Sequence, residues 1–210
     1  MLEFIMEENI KAQNLKNGSE EKNDSGSGKI KKYISFIREF LKIIIVAAVI
    51  VLPIRYFLFQ PFIVKGESMA PNFQSGDYLI VDEISYRFLT PQRGDVVVLS
   101  YPPNTSQRFI KRIIGLPGET VVIKNGEINL SKEEKSLILD EKKYLPNLSE
   151  TEGDLRLNLA SDEYFVLGDN RGFSYDSRRW GALPRKYIIG KVIFRVFPIS
   201  TMSYIPEPSY

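Results

Sequence analysis

The sequence predicts a mostly β protein: an antiparallel sheet or partly open barrel with an inserted small subdomain, preceded by one N-terminal transmembrane helix. Three observations support this prediction. One long apolar run lies near the N-terminus of the 210-residue chain. Short runs rich in β-branched and aromatic residues follow it, and Gly, Pro, Asn and Asp residues typical of turns separate them. The length is sufficient for one domain with an appendage.

The N-terminal segment, residues 1–28, is rich in Glu, Lys, Asn, Gly and Ser and ends in the sequence DSGSG. It has no sustained periodicity that could bury one face of a helix or a strand. We therefore expect this segment to be a disordered tail.

Residues 29–60 are predicted to form a basic flank followed by the transmembrane helix. Residues 40–59 read FLKIIIVAAVIVLPIRYFLF, and at about 1.5 Å per residue such a helix is roughly 30 Å long, the hydrocarbon thickness of a bilayer. A buried core helix is the alternative, because the uninterrupted apolar stretch covers only residues 43–54. The aromatic residues at the end of the run are typical of a membrane interface and favour the transmembrane helix.

The distribution of positive charge predicts the orientation of this helix. Basic residues are concentrated on its N-terminal side, at Lys29, Lys31, Lys32, Arg38 and Lys42. Arg55 and Lys65 are the basic residues near its other end. Because cytoplasmic flanks carry the excess of Lys and Arg, we expect a single-pass protein of the cell membrane with a cytoplasmic N-terminus and an extracytoplasmic body.

Residues 61–210 are predicted to form the β-rich domain. Six runs have the composition of strands: residues 78–81, 96–99, 109–114, 120–123, 164–167 and 188–196. The region of about residues 126–162 is more polar and rich in Glu and Lys. We expect it to be an inserted hairpin or small subdomain.

The composition excludes several classes of function. The chain has no Cys and no His, so it cannot form a disulfide, a thiol nucleophile, a Ser-His-Asp triad or an ordinary zinc site. Its 28 Lys and Arg and 26 Asp and Glu give a formal net charge of +2, which does not indicate a nucleic-acid partner.

Two residues are candidates for the remaining chemistry. Ser68 lies in the sequence KGESMAP, where a glycine permits close approach of the backbone. Lys111 lies in the predicted strand RFIKRII, whose alternation places Phe109, Lys111 and Ile113 on one apolar face. Desolvation there would lower the pKa of the lysine and favour a neutral amine that acts as a base. A lysine that reaches solvent or forms an ion pair is the alternative.

A third block, residues 168–181, is a polar loop with charges of both signs and the single tryptophan of the chain. It could be a solvated, ion-paired connection. It could also position the candidate pair through Ser174, Asp176 and Arg178.

Together the sequences GESMAPNF at 66–73, FIKRIIGLPGE at 109–119 and GDNRGFSYDSRRWG at 168–181 resemble type I signal peptidase, and they occur in the order of that family. The resemblance implies a membrane-anchored, β-rich serine endopeptidase with a Ser-Lys dyad. Ser68 would be the nucleophile and Lys111 the general base. No metal and no organic cofactor is implied.

The same resemblance assigns supporting roles. Ser174 would orient the lysine amine, and Asp176 and Arg178 would form an ion pair. The backbone N–H of Ser68 would be one oxyanion donor. Some members have a Ser or Thr two residues before the nucleophile as the second donor, but here this position is Gly66, which leaves its backbone N–H as a candidate. Asn72 is another departure, because the motif commonly has Thr there.

The substrates of this family are secretory preproteins whose membrane-embedded signal peptides are cut after a small-x-small motif. The lipid bilayer is therefore the second expected partner, and the sequence predicts no particular oligomeric state. Candidate wall residues for shallow substrate pockets are Phe62, Ile63, Val64, Met69 and Ile80. A non-catalytic, membrane-tethered β-module that binds exported proteins is the alternative function.

Overall fold

The computed structural model describes residues 24–57, 59–142, 144–145 and 151–206. Among the described residues, one long helix, α1 (Asp24–Phe57), precedes the β-rich body. It begins within the predicted tail, the rest of which lies outside the described residues. Its large apolar side chains are exposed, among them Ile43, Val49 and Val51. Over the described part of the chain, no helix has the length and apolarity that a membrane crossing requires.

The larger sheet holds most of the body. Its strands are β1 (Phe59–Ile63), β2 (Tyr78–Asp82), β3 (Val96–Tyr101), β4 (Asn104–Gly115), β9 (Glu163–Leu167), β10 (Leu183–Pro184), β11 (Ile188–Phe197) and β12 (Ser203–Tyr204). They lie in the order β1-β2-β11-β3-β4-β9-β10, with β12 paired to β11. Every pairing in this sheet is antiparallel. Among the described residues the sheet is open, with β1 and β10 at its edges.

The smaller sheet has the order β7-β6-β5-β8. Its strands are β5 (Thr120–Lys124), β6 (Glu127–Lys132), β7 (Lys135–Ile138) and β8 (Leu155–Asn158). Asn125 and Gly126 join β5 to β6 with positive φ angles of 51° and 81°, as a two-residue hairpin turn requires. The small sheet thus begins with β5, a few residues before the boundary that we predicted near residue 126.

Six strand runs predicted from the sequence all form strands, and most extend one or two residues further. The largest difference is in β4, which begins at Asn104 instead of 109 because its first residues form a hairpin with β3 and Tyr101 pairs with Asn104. The short helices α2 (Ser85–Phe88) and α3 (Ser177–Trp180) lie in connections between strands.

Among the described residues, the core beneath the candidate site is one of three buried clusters. It joins four strands of the larger sheet to the turn after β1, and consists of Val64, Met69, Phe73, Leu79, Val81, Val96, Val98, Ile110 and Val192. Because these side chains come from five separate segments, burial of this apolar surface fixes the turn that carries Ser68 against the strand that carries Lys111.

Candidate active site

The candidate nucleophile lies in the turn between β1 and β2. Met69 and Phe73 anchor this turn, since both side chains are buried in the core. Backbone hydrogen bonds close it, from Ala70 N–H to the Glu67 carbonyl at 3.1 Å and from Phe73 N–H to the Met69 carbonyl at 2.9 Å. The Ser68 hydroxyl is therefore held by buried neighbours on a tight backbone.

The lysine lies on β4 with its side chain directed at that serine. Lys111 is only 2% exposed, as the alternation along the strand predicts. Its Nζ donates to Ser68 Oγ at 2.7 Å and to the Ile110 carbonyl at 3.0 Å. The ring of Phe109 lies 5.4 Å from Nζ. Tertiary structure thus brings together the two residues that the sequence singled out, which lie 43 positions apart.

Burial determines the charge of this lysine. Desolvation lowers the pKa of Lys111 to about 8 from its ordinary value of 10.5, although the negative charges of Asp176 and Asp169 act to raise it. With a pKa of about 8, roughly one amine in ten is neutral at pH 7, and this neutral form can accept a proton.

Gly168 places the third block against the nucleophile. A Cβ at this position would lie 2.2 Å from Ser174 Oγ and 2.3 Å from the Ser68 carbonyl oxygen, so only glycine allows this approach. Two residues further on, Asn170 N–H donates to the same Ser68 carbonyl at 3.1 Å. The start of the loop and the nucleophile turn are consequently in direct backbone contact.

Asp176 and Arg178 form the ion pair that was predicted for this loop. Arg178 Nε lies 2.9 Å from Asp176 Oδ1, and its Nη2 donates to Oδ2 at 3.0 Å. The same Oδ2 accepts the Gly168 N–H at 3.1 Å. Since the Asp176 side chain is fully buried, its negative charge is screened little and acts on Lys111 nearby.

Ser174 lies in the site, but it does not make the predicted contact with the Lys111 amine. Its Oγ is buried and has no hydrogen-bond partner among the described residues, and Lys111 Nζ instead donates to Ser68 and to a backbone carbonyl. The position of Oγ beside Gly168 leaves it close to the Ser68 backbone. An orienting role for Ser174 stays a prediction.

Two buried ion pairs were missed at the level of sequence. Arg112 donates to the Asp169 carboxylate from Nε at 2.8 Å and from Nη2 at 2.7 Å. Arg171 binds Glu141 at 2.6 Å through each of two nitrogens. The alternation along β4 did place Arg112 on the face opposite Lys111, but nothing in the polar insert distinguished Glu141 from its other acidic residues.

A cleft of about 440 Å³ opens beside the pair. It is lined by Pro61, Phe62, Ile63, Lys65, Ser68, Ser106, Arg108, Phe109, Ile110 and Lys111. Of the five predicted wall residues, Phe62 and Ile63 line this cleft. Val64 and Met69 are buried in the core, and Ile80 lies half-buried on β2 outside the lining.

The two candidate oxyanion donors differ in their surroundings. Ser68 N–H has no acceptor among the described residues, so it is available to a ligand. Gly66 N–H donates to the Ser75 hydroxyl at a long 3.4 Å, and Gly66 has a φ of +89° with open space where a Cβ would be.

The site has a serine hydroxyl that is hydrogen-bonded to a buried lysine amine, beside a cleft in a mostly β domain. This arrangement is typical of serine hydrolases that use lysine as the general base. Comparison with known proteins narrows this class to a family. The chain belongs to the signal peptidase family, peptidase S26, whose model matches residues 37–197.

Named relatives agree with this family. The chain is 38% identical to the probable signal peptidase I-1 of Synechocystis sp., over 79% of this chain and 85% of that protein. It is 36% identical to signal peptidase I of Leptolyngbya laminosa, over 83% of this chain and 87% of that protein. It is 35% identical to signal peptidase I P of Bacillus subtilis subsp. natto, over 83% of this chain and 96% of that protein.

Proposed function

We propose that this protein is a membrane-anchored serine endopeptidase that removes N-terminal signal peptides from exported preproteins. The single observation that carries the proposal is the 2.7 Å hydrogen bond between Lys111 Nζ and Ser68 Oγ in a buried setting. Membership of the signal peptidase family supports the substrate class, as do the names of relatives that cover most of the chain.

The reaction begins when the neutral amine of Lys111 takes the proton of Ser68 and Oγ attacks the peptide carbonyl. Collapse of the tetrahedral intermediate passes that proton to the leaving amine and leaves an acyl ester on Ser68. Water, deprotonated by the same lysine, then hydrolyses the ester. Lysine performs the role of histidine in other serine peptidases, because burial makes its neutral form accessible.

Negative charge develops on the substrate carbonyl oxygen when Ser68 attacks, and hydrogen-bond donors must stabilise it. The free N–H of Ser68 is the first, and a donor aimed at this charge is worth roughly 3 kcal/mol. Gly66 N–H is the second candidate, and it would exchange its long bond to Ser75 for the oxyanion. Asp176 and Arg178 do not react; their ion pair and the hydrogen bond from Gly168 N–H to Asp176 support the loop beside the lysine. An orienting role for Ser174 is expected from the family resemblance alone, because its Oγ has no partner among the described residues.

The cleft supports an extended peptide substrate cut after a small-x-small motif. β1 forms an edge of the larger sheet and therefore has unpaired backbone groups that a substrate strand can bind. Phe62 and Ile63 supply apolar lining at this edge. Shallow apolar pockets of this kind accept alanine more readily than bulky side chains.

Helix α1 is the proposed anchor. Its exposed apolar side chains are costly in water, and a bilayer would cover them. The basic residues before the apolar run support a cytoplasmic N-terminus, with the β-rich body on the extracytoplasmic side of the membrane.

Cleavage of a preprotein with an Ala-x-Ala junction by the full chain in detergent tests the function. We expect wild type to cut at that junction, whereas Ser68→Ala and Lys111→Ala remain folded but inactive. Binding of the preprotein without cleavage would favour a non-catalytic tethered module. Cleavage by Lys111→Ala would refute lysine as the base.

A further inference from the structure

A closed ring of contacts passes through the catalytic pair. Lys111 Nζ donates a hydrogen bond to Ser68 Oγ at 2.7 Å. Arg112 follows Lys111 on β4, and its Nη2 donates to Asp169 Oδ2 at 2.7 Å. Asp169 Oδ2 accepts from Asn72 Nδ2 at 2.8 Å. Asn72 lies in the same turn as Ser68, which closes the ring.

Asn72 makes more than this one bond. The same Nδ2 also donates to the Tyr144 carbonyl at 2.9 Å, so both hydrogens of the amide are used. The backbone carbonyl of Asn72 in turn accepts from Arg195 Nη2 on β11. Asn72 thus joins the nucleophile turn to the loop after β9, to the connection between β7 and β8, and to β11.

The side chain of Asn72 donates two hydrogen bonds from one nitrogen, and few other side chains could supply both at this position. An amide nitrogen offers two hydrogens, a threonine hydroxyl offers one, and an aspartate carboxylate offers none. Its acceptors are a buried carboxylate, whose side chain has no exposed surface, and a backbone carbonyl. Loss of the amide would leave both acceptors with one donor fewer in a poorly solvated place.

We propose that Asn72 is a positioning residue for the catalytic pair, which holds the Ser68 turn at a constant distance from the lysine strand through Asp169 and the Tyr144 carbonyl. This inference rests on the proposed function, because it assigns Ser68 and Lys111 to the reaction. Asn72 itself does not contact the substrate cleft. It acts through the geometry of the Ser68 Oγ and Lys111 Nζ atoms.

The test compares Asn72→Ala and Asn72→Thr with wild type in preprotein cleavage, at a temperature where each variant is fully folded. We expect Asn72→Ala to lower kcat by about 10-fold to 100-fold, because small misplacements of reacting groups have effects of this size. KM should stay within about twofold, since the cleft is unchanged. Asn72→Thr keeps one donor, so its kcat should lie between those of wild type and Asn72→Ala.

Asn158→Ala is the matched control. Asn158 also makes a side-chain hydrogen bond, with Thr120 Oγ1 at 2.9 Å, but in the small sheet. We expect its kcat to equal that of wild type. Wild-type kcat in Asn72→Ala, or an equal loss of kcat in Asn158→Ala, would overturn the inference.

A second measurement does not depend on cleavage. NMR titration of the Lys111 ¹³Cε signal in selectively labelled protein follows the lysine directly, with Asp176 and Asp169 facing it in all variants. A loosened ring admits water, so Asn72→Ala should titrate at higher pH than wild type while Asn158→Ala should not. An unchanged titration in Asn72→Ala contradicts the inference even if the protein cuts no preprotein, whereas absent cleavage by wild type contradicts the proposed function alone.

Discussion

At Lys111 two physical effects oppose each other, and burial is the larger. Removing the ammonium from water lowers the pKa of the side chain, while the carboxylates of Asp176 and Asp169 favour the charged form. The result is a pKa of about 8, which is low enough for base chemistry and high enough to retain proton affinity. The supporting loop therefore moderates the pKa that the core produces.

The pH dependence of cleavage follows from this value. Only the neutral amine can take the Ser68 proton, so kcat/KM should rise with pH through an apparent pKa of about 8 and then level off. A pH series of initial rates at low preprotein concentration measures this. An acid limb centred near pH 4 to 5 would instead indicate a carboxylate base, since such pKa values are ordinary for Asp and Glu.

The same shift has a consequence for stability. Because the pKa of Lys111 is lower in the folded state, the unfolded chain binds more protons between about pH 8 and 10.5, and stability contributed by this residue rises with pH across that window. Lys111→Met should therefore raise Tm relative to wild type at pH 7. The difference should shrink as the pH approaches 10.5, as thermal unfolding at several pH values would measure. A difference that does not vary with pH would contradict a lowered pKa.

Among the structural elements, the connection between β7 and β8 of the small sheet binds directly to the loop of residues 168–181. Glu141 binds the buried Arg171 with two 2.6 Å contacts, and Thr151 Oγ1 accepts from the same guanidinium at 2.7 Å. Arg171 also donates from Nε to the Gly168 carbonyl at 3.0 Å. The inserted sheet thereby stabilises the loop beside Ser68, although it supplies no reacting group.

Removing Glu141 should destabilise the protein strongly. In Glu141→Ala the guanidinium of Arg171 stays buried without its carboxylate, which typically costs about 3–5 kcal/mol in the free energy of unfolding. Urea denaturation measures this cost. Glu134→Ala, at an exposed turn of the same small sheet, is the control and should change stability by less than about 0.5 kcal/mol. Equal effects in the two variants would refute the structural importance of the Glu141–Arg171 pair.

At the scale of the whole molecule, the chain divides into two compact units, residues 1–52 and residues 53–210. The first contains most of α1, whose apolar side chains are exposed, and the second contains the end of α1 and both sheets. Exposed apolar surface that continues along a helix is typical of a membrane contact and not of a helix in water.

The proposed membrane anchor can be tested on the full chain in liposomes. We expect wild type to stay with the vesicles after extraction with alkaline carbonate. A double variant, Val46→Lys with Val49→Lys, should be released, because each lysine near the centre of a span costs about 2.5–3.5 kcal/mol. Ser35→Lys, in the basic flank, should stay bound like wild type. Release of wild type by carbonate would contradict an integral anchor.

Much of the fold could be predicted from local patterns. Alternation and turn residues identified six strands. The short edge strands β10 and β12, of two residues each, have no such pattern because they depend on a neighbouring strand for their hydrogen bonds. The Glu141–Arg171 pair and the double donation by Asn72 escaped prediction for a related reason: such contacts join residues distant in sequence, and periodicity carries no information about them.

The sequence alone determined which reactive groups this protein has. The absence of Cys and His excluded thiol and histidine chemistry, and three blocks that resemble those of a known family favoured a Ser-Lys pair. Only the tertiary structure decided the 2.7 Å contact between the two side chains and the pKa of the lysine, the unpartnered Ser174 hydroxyl and the residues that line the cleft. The physical reason is that composition and spacing specify which groups are present, whereas distance and desolvation arise only when separate segments bury a common core.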